Sequence, residues 1–364
     1  MRVTVTGGAG FIGSNVAAVY LRDGHRVTVL DSLRRPGTAA NLDWLGRLGG
    51  DRLEFVRGDV RDARLVHDLL AGPTDLVFHF AAQPAVTTSV ERPREDLEIN
   101  LLGTFNVLEA IRARQGLPPP ALFFTSTNKV YGALERHATI ETERRHRFAD
   151  ERLHASGVGE SEPLDFHSPY GCSKGAADQY ARDYARMYGL PIVVFRMSCI
   201  YGQRQFGNED QGWLAHFLIA LATQRPLVIY GDGKQVRDIL HVDDLVRAFQ
   251  LAHEHLEDVA GNVYNIGGGP ANSVAVWAEL REHLASLPGH VPEPGREDWR
   301  PGDQPVYVSD TTRARRDFGW TAEIGATEGI ERLWRWVQAE RDLIAETLGA
   351  AGGAVSRAAA VGRT

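Results

Sequence analysis

The sequence predicts an α/β protein, with a doubly wound parallel sheet that carries a smaller C-terminal α/β lobe. Short β-rich apolar runs alternate with amphipathic stretches through the first third of the chain, which is typical of βαβ units with helices on both faces of a parallel sheet. After about residue 197 the alternation loosens, and Gly, Pro and Trp become more frequent. We therefore expect one domain over residues 1–196, with returning segments near 235–265, and a smaller lobe over residues 197–345.

Six apolar runs are predicted as strands of this sheet, and four amphipathic stretches as helices between them. The predicted strands are residues 2–6, 26–30, 53–56, 76–80, 122–125 and 192–195. The predicted helices are residues 11–23, 65–70, 101–115 and 169–188. Residues 350–364 have no periodic apolar face, which predicts a flexible tail.

The composition is that of an ordinary globular protein, and it excludes several classes of partner. Hydrophobic residues make up 43% of the 364 residues and charged residues 24%, which excludes a disordered or collagen-like chain. The 40 basic and 47 acidic residues give a net charge of −7, which argues against nucleic acid or an anionic membrane surface as a partner. An anionic substrate would require arginines placed at its pocket.

Neither a membrane span nor a metal site is expected. No apolar run approaches the ~18 residues of a membrane-spanning helix, and the first residues lack the basic-then-apolar layout of a signal peptide, so we expect a cytoplasmic protein. The two cysteines are too few for a disulfide framework, and the histidines lack the spacing of metal ligands. These side chains are Cys172, Cys199, His79, His167, His216 and His241.

Glycines 7, 10 and 13 lie between the first predicted strand and the first predicted helix, in the segment GGAGFIG. Gly7 permits a tight turn, Gly10 lets a pyrophosphate approach the backbone, and Gly13 allows the helix to pack closely. The helix N-terminus, which begins at Phe11 and Ile12, then faces the phosphates. The pattern therefore predicts a Rossmann-type site for a dinucleotide.

Asp31 ends the second predicted strand, where a carboxylate accepts hydrogen bonds from the ribose hydroxyls of the adenosine. A carboxylate there repels a 2′-phosphate, which favours NAD over NADP. Arg34 and Arg35 follow closely and would weaken that preference, unless they are solvated loop charges. We expect NAD as the cofactor.

Tyr170 and Lys174 are four positions apart on a predicted helix, and therefore lie on one helical face. A free phenol has a pKa of about 10, too high for a base at neutral pH. A neighbouring ammonium lowers that pKa, so Tyr170 can accept the proton of a substrate hydroxyl, while Lys174 also holds the nicotinamide ribose. With Thr127 at the end of the preceding strand, the pair predicts a catalytic group; the alternative is an ordinary pair on a helix surface.

The motifs together resemble those of the extended short-chain dehydrogenase/reductase family, which contains nucleotide-sugar epimerases and dehydratases. The matching segments are TGGAGFIG (6–13), GDV (58–60), FHFAAQ (78–83), TSTNKVYG (125–132), SPYGCSK (168–174) and GDGKQVRDILHVDD (231–244). The resemblance implies a catalytic triad of Thr127, Tyr170 and Lys174. It also implies a cofactor groove lined by Asp59, Val60, Ala81, Ala82 and Asn100, although Asn100 is equally suited to capping a helix.

The residues after Thr127 bear on the type of reaction. The family's 4,6-dehydratases have an Asp-Glu pair there, whereas this chain has Asn128 and Lys129, and an amide cannot donate or accept the proton that dehydration requires. The sequence is similar to family members that invert C2 of a CDP-linked 3,6-dideoxyhexose, notably at 87–89, 126–132, 163–180, 204–206 and 210–213 and in the insert 133–167. Three alternatives stay open: a 4-epimerase of a UDP- or CDP-sugar, a net dehydrogenase, and a non-catalytic dinucleotide sensor.

The resemblance also implies substrate contacts and an assembly. Arg237 and Arg300 match diphosphate-binding positions, Arg204 and Gln205 lie where the two lobes should meet, and Asn128 follows the catalytic threonine. Thr88 and Ser89 would hydrogen-bond the sugar or cap a helix. The family pairs subunits into homodimers through the helices at 101–115 and 169–188, whose apolar faces would equally suit packing on the sheet.

Overall fold

The computed structural model describes residues 1–288, 291, 293–300 and 303–349, so the tail predicted at 350–364 lies outside the described residues. The strands are β1 (Arg2–Thr6), β2 (Arg26–Asp31), β3 (Leu53–Arg57), β4 (Leu76–His79), β5 (Ala121–Thr127), β6 (Thr139–Glu141), β7 (His146–Phe148), β8 (Ile192–Met197), β9 (Cys199–Tyr201), β10 (Val228–Tyr230), β11 (Val236–His241), β12 (Val263–Ile266), β13 (Ser273–Ala275), β14 (Gly295–Glu297) and β15 (Val306–Tyr307). The helices are α1 (Phe11–Arg22), α2 (Thr38–Gly49), α3 (Ala63–Ala71), α4 (Val86–Glu91), α5 (Pro93–Leu97), α6 (Gly103–Arg112), α7 (Glu151–Ser156), α8 (Ser168–Tyr188), α9 (Trp213–Thr223), α10 (Val242–Glu254), α11 (Leu256–Val259), α12 (Leu280–Ala285), α13 (Thr312–Phe318) and α14 (Ala326–Ala339).

The main sheet has seven strands, all parallel, in the order β12-β8-β5-β4-β1-β2-β3. Val3 of β1 pairs with Val27 on one side and Leu76 on the other. Because the chain leaves β1 in one direction and later returns to its other side, the carboxyl ends of β1 and β4 open onto a crevice, the usual ligand site of such sheets. The predicted doubly wound α/β fold is confirmed.

All six predicted strands are present, and several continue beyond their predicted ends because the sheet keeps polar residues there. β5, for example, continues through Ser126 and Thr127 and is buried along its whole length. The helix predicted at 101–115 begins with a π-turn, Glu98–Leu102, and ends at Arg112. The prediction missed α2, because Leu45 is the one apolar side chain among its four buried residues, and β12, which is only four residues long.

Apolar side chains cover both faces of the main sheet. Phe78, Phe123 and Phe249 pack together on one face, and Leu122 and Phe124 pack against the helices on the other. Each of these side chains is fully buried, and burying a side chain of this size stabilises the fold by about 1.5–3 kcal/mol. The sheet is therefore a rigid platform for the crevice.

The smaller lobe has its own sheet and its own core. β11 pairs antiparallel with β13 and parallel with β15 and β9, and α9 and α14 pack around a separate apolar cluster. The returning strand β12 joins the main sheet, whereas β11 belongs to this smaller sheet. The boundary at residues 196–197 stays a prediction. No helix among residues 1–288, 291, 293–300 and 303–349 is both long enough and apolar enough to cross a membrane.

The insert at 133–167 forms the hairpin β6–β7 and the helix α7, and an ion pair and a hydrogen bond connect it to the smaller lobe. Arg145 Nε lies 2.7 Å from Glu279 Oε1, and His146 Nε2 lies 2.6 Å from Asp232 Oδ2. Phe148 of the hairpin is buried in a cluster with residues of β11 and β15. The insert therefore packs as part of the lobe although it lies in sequence between β5 and α8.

Candidate active site

A cleft of about 710 Å³ opens at the carboxyl ends of β1, β4, β5 and β8. It brings together residues that are far apart in sequence. These include the glycine turn, other predicted cofactor contacts and the three predicted catalytic residues. The predicted residues that line it are Gly7, Gly10, Phe11, Ile12, Gly13, Asp31, Asp59, Val60, Ala81, Ala82, Thr88, Thr127, Asn128, Tyr170, Lys174, Arg204 and Gln205.

The glycine turn is built as its spacing predicts. Gly7 has a φ of +68°, and a Cβ placed there would lie 2.6 Å from the Ala81 backbone nitrogen. A Cβ on Gly13 would lie 2.3 Å from the Gly7 carbonyl oxygen. Only glycine allows these contacts between the turn, α1 and the end of β4. None of the described side chains caps the first turn of α1, so its backbone N–H groups are available to an anion in the cleft.

Two carboxylates mark the far end of the cleft. Asp31 Oδ2 accepts a hydrogen bond of 3.1 Å from the Ala9 backbone N–H, and its Oδ1 accepts one of 2.8 Å from Leu33. Burial raises the pKa of Asp31. Asp59 accepts a two-point hydrogen bond from Arg61, which holds the pKa of this carboxyl below its usual value. Backbone and arginine contacts thus fix both acids at the wall of the cleft.

The pKa of Tyr170 differs from the sequence-based prediction. Burial raises the pKa of its phenol to about 12, although an interaction with the Thr127 side chain lowers it in part. Lys174 does not acidify the phenol as predicted, because its Nζ donates a 2.6 Å hydrogen bond to the Thr125 carbonyl and lies 4.4 Å from the centre of the Phe124 ring. The ligand-free phenol is therefore a weaker acid than the spacing of the two residues suggests.

Lys174 is itself perturbed. Its side chain is 4% exposed, and burial lowers its pKa to about 8, while Asp178 and Asp96 act in the opposite direction. At neutral pH most of the population carries an ammonium in the cleft. Because Lys174 lines the cleft, this charge favours a negative charge on a ligand bound there.

Two predicted contact residues line neither the cleft nor the smaller cavity beside it. Asn100 is 1% exposed and lies behind the wall, where its amide bonds the Gln83 backbone at 2.9 and 3.0 Å and Ser173 Oγ at 3.1 Å. It therefore positions the loop after β4 instead of touching a ligand. Ser89 is fully buried in α4 and donates to the Val86 carbonyl at 2.6 Å, so the prediction that it binds sugar is wrong.

A second cavity of about 240 Å³ adjoins the cleft and contains the two predicted diphosphate-binding arginines. Arg237 Nη2 donates to Asp303 Oδ1 at 2.6 Å. Arg300 lies 3.9 Å above the Tyr230 ring and donates to the Glu209 carbonyl at 3.0 Å. The cavity therefore has two arginine side chains, an aromatic ring and an opening to the cleft, a combination that is suited to binding a nucleotide.

Arg204 and Gln205 lie where the smaller lobe meets the main sheet. The Arg204 guanidinium stacks 4.5 Å from the centre of the Trp44 ring and bonds Glu340 at 3.2 Å, so it already has partners inside the chain. Gln205 Nε2 donates to the Ile200 carbonyl at 3.3 Å. Its buried Oε1 has no hydrogen-bond partner among the described residues. Of the two, Gln205 is the better placed to bind a ligand.

The prediction missed other residues that the fold brings to these cavities. Lys129 lines both, and Asp303 bonds to it from the other end of the chain. Arg35 reaches the cleft and donates to the Gln211 side chain. Lys129 is marked in the sequence by its place after Thr127 and Asn128, whereas the partner role of Asp303 has no local signal, since it depends on tertiary contact alone.

A sequence profile described as "NAD dependent epimerase/dehydratase family" matches residues 3–267. The chain belongs to this family. The match covers the main sheet, the glycine turn, the three predicted catalytic residues and Arg237. It therefore includes nearly the whole cleft.

Relatives in the epimerase/dehydratase family differ in their reactions. The chain is 42% identical over 345 residues to the CDP-paratose 2-epimerase of Salmonella typhi, which covers 92% of this chain and 99% of that one. It is 34% identical over 332 residues to the UDP-glucose 4-epimerase of Mycolicibacterium smegmatis, covering 91% and 97%. Among solved structures, the dTDP-glucose 4,6-dehydratase of Streptomyces venezuelae, with NAD bound, has a TM-score of 0.78 at 32% identity and covers 94% and 98%.

The cofactor of the epimerase/dehydratase family is NAD, and the residues present fit it. The uncapped N-terminus of α1 faces the cleft, where the phosphates would bind. A Cβ on Gly10 would lie only 3.1 Å from the Gly7 carbonyl oxygen, so a side chain at this position would crowd the turn. Asp31 stands at the adenosine end, and Lys174 at the catalytic end. In the described part of the chain, no three His, Cys, Asp or Glu side chains form a group that could hold a metal ion.

Proposed function

We propose that this chain is an NAD-dependent epimerase that inverts C2 of a CDP-linked 3,6-dideoxyhexose, converting CDP-paratose to CDP-tyvelose. The observation that carries the proposal is that Thr127, Tyr170 and Lys174 line one cleft, while Thr127 is followed by Asn128 and Lys129 in place of a dehydratase's Asp-Glu pair. The amide of Asn128 can neither donate nor accept the proton that dehydration requires. The similarity to the 2-epimerase of Salmonella typhi supports the choice of carbon and of nucleotide.

Tyr170 handles the proton in this proposal. When bound, NAD accepts a hydride from the substrate carbon and later returns it. As the hydroxyl becomes a ketone, its proton passes to the Tyr170 oxygen, and it returns when the alcohol forms again, so no net oxidation results. The ketone turns over between the two steps, and the hydride therefore returns to its opposite face. The Thr127 side chain lowers the Tyr170 pKa in part and so favours the phenolate that this cycle requires. Lys174, which lines the same cleft, is proposed to hold the nicotinamide ribose.

The second cavity is the proposed place of the nucleotide. Arg237 and Arg300 supply positive charge on its walls, and an arginine recognises phosphate through paired hydrogen bonds. We infer that the diphosphate lies between them and the sugar extends into the cleft. Gln205 and Thr88 line the cleft and are proposed to hydrogen-bond the sugar.

A homodimer through α6 and α8 is also proposed. Phe105 of α6 and three residues of α8, namely Tyr180, Met187 and Tyr188, are 37–65% exposed although they are large and apolar. Phe105 and Tyr180 form an aromatic contact at 5.9 Å, so the exposed side chains lie on one continuous surface. An apolar surface of this kind is typical of an interface between subunits.

The cytoplasm is the proposed place of action. Cys172 and Cys199 are both free thiols. Unpaired cysteines are typical of a reducing compartment.

The proposal is tested by incubating the protein with CDP-paratose and following the sugar by NMR. Inversion at C2 with no accumulation of NADH is the expected result, and an unchanged C2 configuration would overturn the proposal. Parallel reactions with UDP-glucose and UDP-galactose detect a 4-epimerase instead. Accumulation of NADH, followed by its absorbance, identifies a net dehydrogenase.

A further inference from the structure

Lys129 places a cation on the wall that the cleft and the nucleotide cavity share. It lies on the short helical turn Asn128–Tyr131 that follows β5, and its backbone N–H donates to Thr127 Oγ1 at 3.2 Å. This contact fixes the lysine directly beside a catalytic residue. Its side chain is 22% exposed and lines both cavities.

One carboxylate holds two cations at this place. Lys129 Nζ lies 3.3 Å from Asp303 Oδ1, and Arg237 Nη2 lies 2.6 Å from the same oxygen. Two cations and one carboxylate leave this cluster with one positive charge that no residue of the cluster neutralises. An unpaired charge in a partly buried position destabilises the fold. A phosphate that enters the junction can contact both cations, as the Asp303 carboxylate does in its absence.

The chemistry of the sugar indicates why a cation is needed so close to Tyr170. C2 is bonded directly to C1, the carbon that carries the diphosphate, whereas C4 lies across the ring. In an enzyme that oxidises C2, the phosphate attached to C1 must therefore lie close to the catalytic tyrosine. In an enzyme that oxidises C4, the same phosphate lies farther from the tyrosine by about the width of the sugar ring. Arg300 lines the cavity beyond the junction, while Lys129 lies at the junction itself.

We propose that Lys129 binds the phosphate attached to the sugar and so selects C2 as the carbon that faces Tyr170. This inference rests on the proposed function, since it names the residue that directs that reaction to one carbon. Asp303 is the internal anion that keeps Lys129 and Arg237 oriented until the diphosphate replaces it.

The first test is calorimetric binding of CDP and of CMP to the NAD-loaded protein, which requires no turnover. Lys129→Met is expected to weaken CDP binding about tenfold, because it removes a hydrogen bond from a charged donor, and to change CMP binding little, since CMP lacks the second phosphate. Lys129→Arg should restore CDP affinity. Lys234→Met is the matched control, because Lys234 is paired with Glu141 at 2.7 Å and lines neither cavity. Equal CDP affinity in wild type and Lys129→Met overturns the inference.

Asp303→Asn tests whether the Asp303 carboxylate competes with phosphate for Lys129 and Arg237. This variant also provides a test of the inference if Lys129→Met does not fold. If Asp303 competes with phosphate, removing its charge raises CDP affinity; if it only supports the fold, CDP affinity falls or stays the same, and the inference is wrong.

The choice of carbon is tested with CDP-paratose carrying deuterium at C2 or at C4. Wild type should show a primary isotope effect on the consumption of CDP-paratose with the C2 label and none with the C4 label, and Lys129→Met should lose a large part of this preference. An unchanged preference contradicts the role of Lys129. If wild type itself neither binds CDP nor inverts C2, the proposed function fails; if it does both and the variants match it, only the inference about Lys129 fails.

Discussion

Arg196 of β8 and Asp178 of α8 form a two-point ion pair, with Nε–Oδ2 and Nη2–Oδ1 distances of 2.8 and 2.9 Å. The Arg196 side chain is 2% exposed and that of Asp178 is fully buried. Arg196 also donates to the Tyr131 hydroxyl at 3.1 Å. Because Asp178 lies on α8 and Arg196 on β8, the pair fixes the helix that carries Tyr170 and Lys174 against the main sheet.

Asp178→Asn leaves a buried guanidinium without its counter-charge. We expect the free energy of unfolding to fall by about 3–5 kcal/mol. Denaturant unfolding measures this change, and Asp183→Asn, which removes an exposed carboxylate from the same helix, is the control. Equal stabilities of the two variants would show that the pair does not secure α8.

Tyr170→Phe removes the proton acceptor and keeps the shape of the side chain. Turnover is expected to fall by about 10²–10⁴-fold, while NAD binding persists. Product formation is measured by NMR and cofactor content by absorbance. Tyr180→Phe, an exposed position on the same helix, should retain full activity. Full activity in Tyr170→Phe would refute its role.

The burial of Lys174 predicts a pH dependence of stability. Its pKa is lowered from 10.5 to about 8 in the folded chain, so between these values the unfolded chain binds more protons and folding becomes more favourable as pH rises. Lys174→Met removes the group. Its stability relative to wild type should be greatest at pH 7 and should diminish from about pH 8 to about pH 10. Denaturant unfolding of the NAD-free protein across this range measures the difference; a constant difference contradicts the shift.

Asp31→Asn keeps the size of the side chain and removes its negative charge. The preference for NAD over NADP is expected to fall by about tenfold, since the ribose loses a charged acceptor and a 2′-phosphate meets less repulsion. Dissociation constants for both cofactors measure the ratio. Asp23→Asn, at the distant end of α1, is the control. An unchanged ratio would place the choice of cofactor elsewhere.

Met187→Asp adds a charge to the exposed apolar surface of α8. Sedimentation should then show a monomer where wild type is a dimer, because a charge at the centre of such an interface is not compensated. Ile140→Asp, which changes an exposed apolar residue of β6, should leave the dimer intact. A monomeric wild type would disprove the proposed assembly.

Local patterns were sufficient to predict the sheet, the glycine turn and three residues that the fold brings to one cleft, namely Thr127, Tyr170 and Lys174. The turn is predicted by the spacing of Gly7, Gly10 and Gly13, and the strands are predicted by the apolar runs. The pKa of Tyr170 was not predictable, because it depends on how deeply the folded chain buries the phenol. The contact between Lys129 and Asp303 joins residues 174 positions apart, so no local pattern reveals it.

Asn100 and Ser89 show that it is difficult to predict from sequence which side chains reach the inside of a cleft. Both residues occupy positions next to the cleft in sequence, yet the fold turns their polar groups into the protein. Sequence position identifies the wall of a site more reliably than it identifies which side chains reach its inner surface.

The hairpin β6–β7 is bonded to the smaller lobe through Arg145 and His146, and its chain runs on to Ser168, where α8 begins. The insert is therefore a covalent connection between the lobe and the first turn of the helix that bears Tyr170. We expect binding of a nucleotide by the lobe and alignment of the phenol to be coupled through this connection. Shortening the insert would disconnect the two events while leaving every catalytic side chain in place.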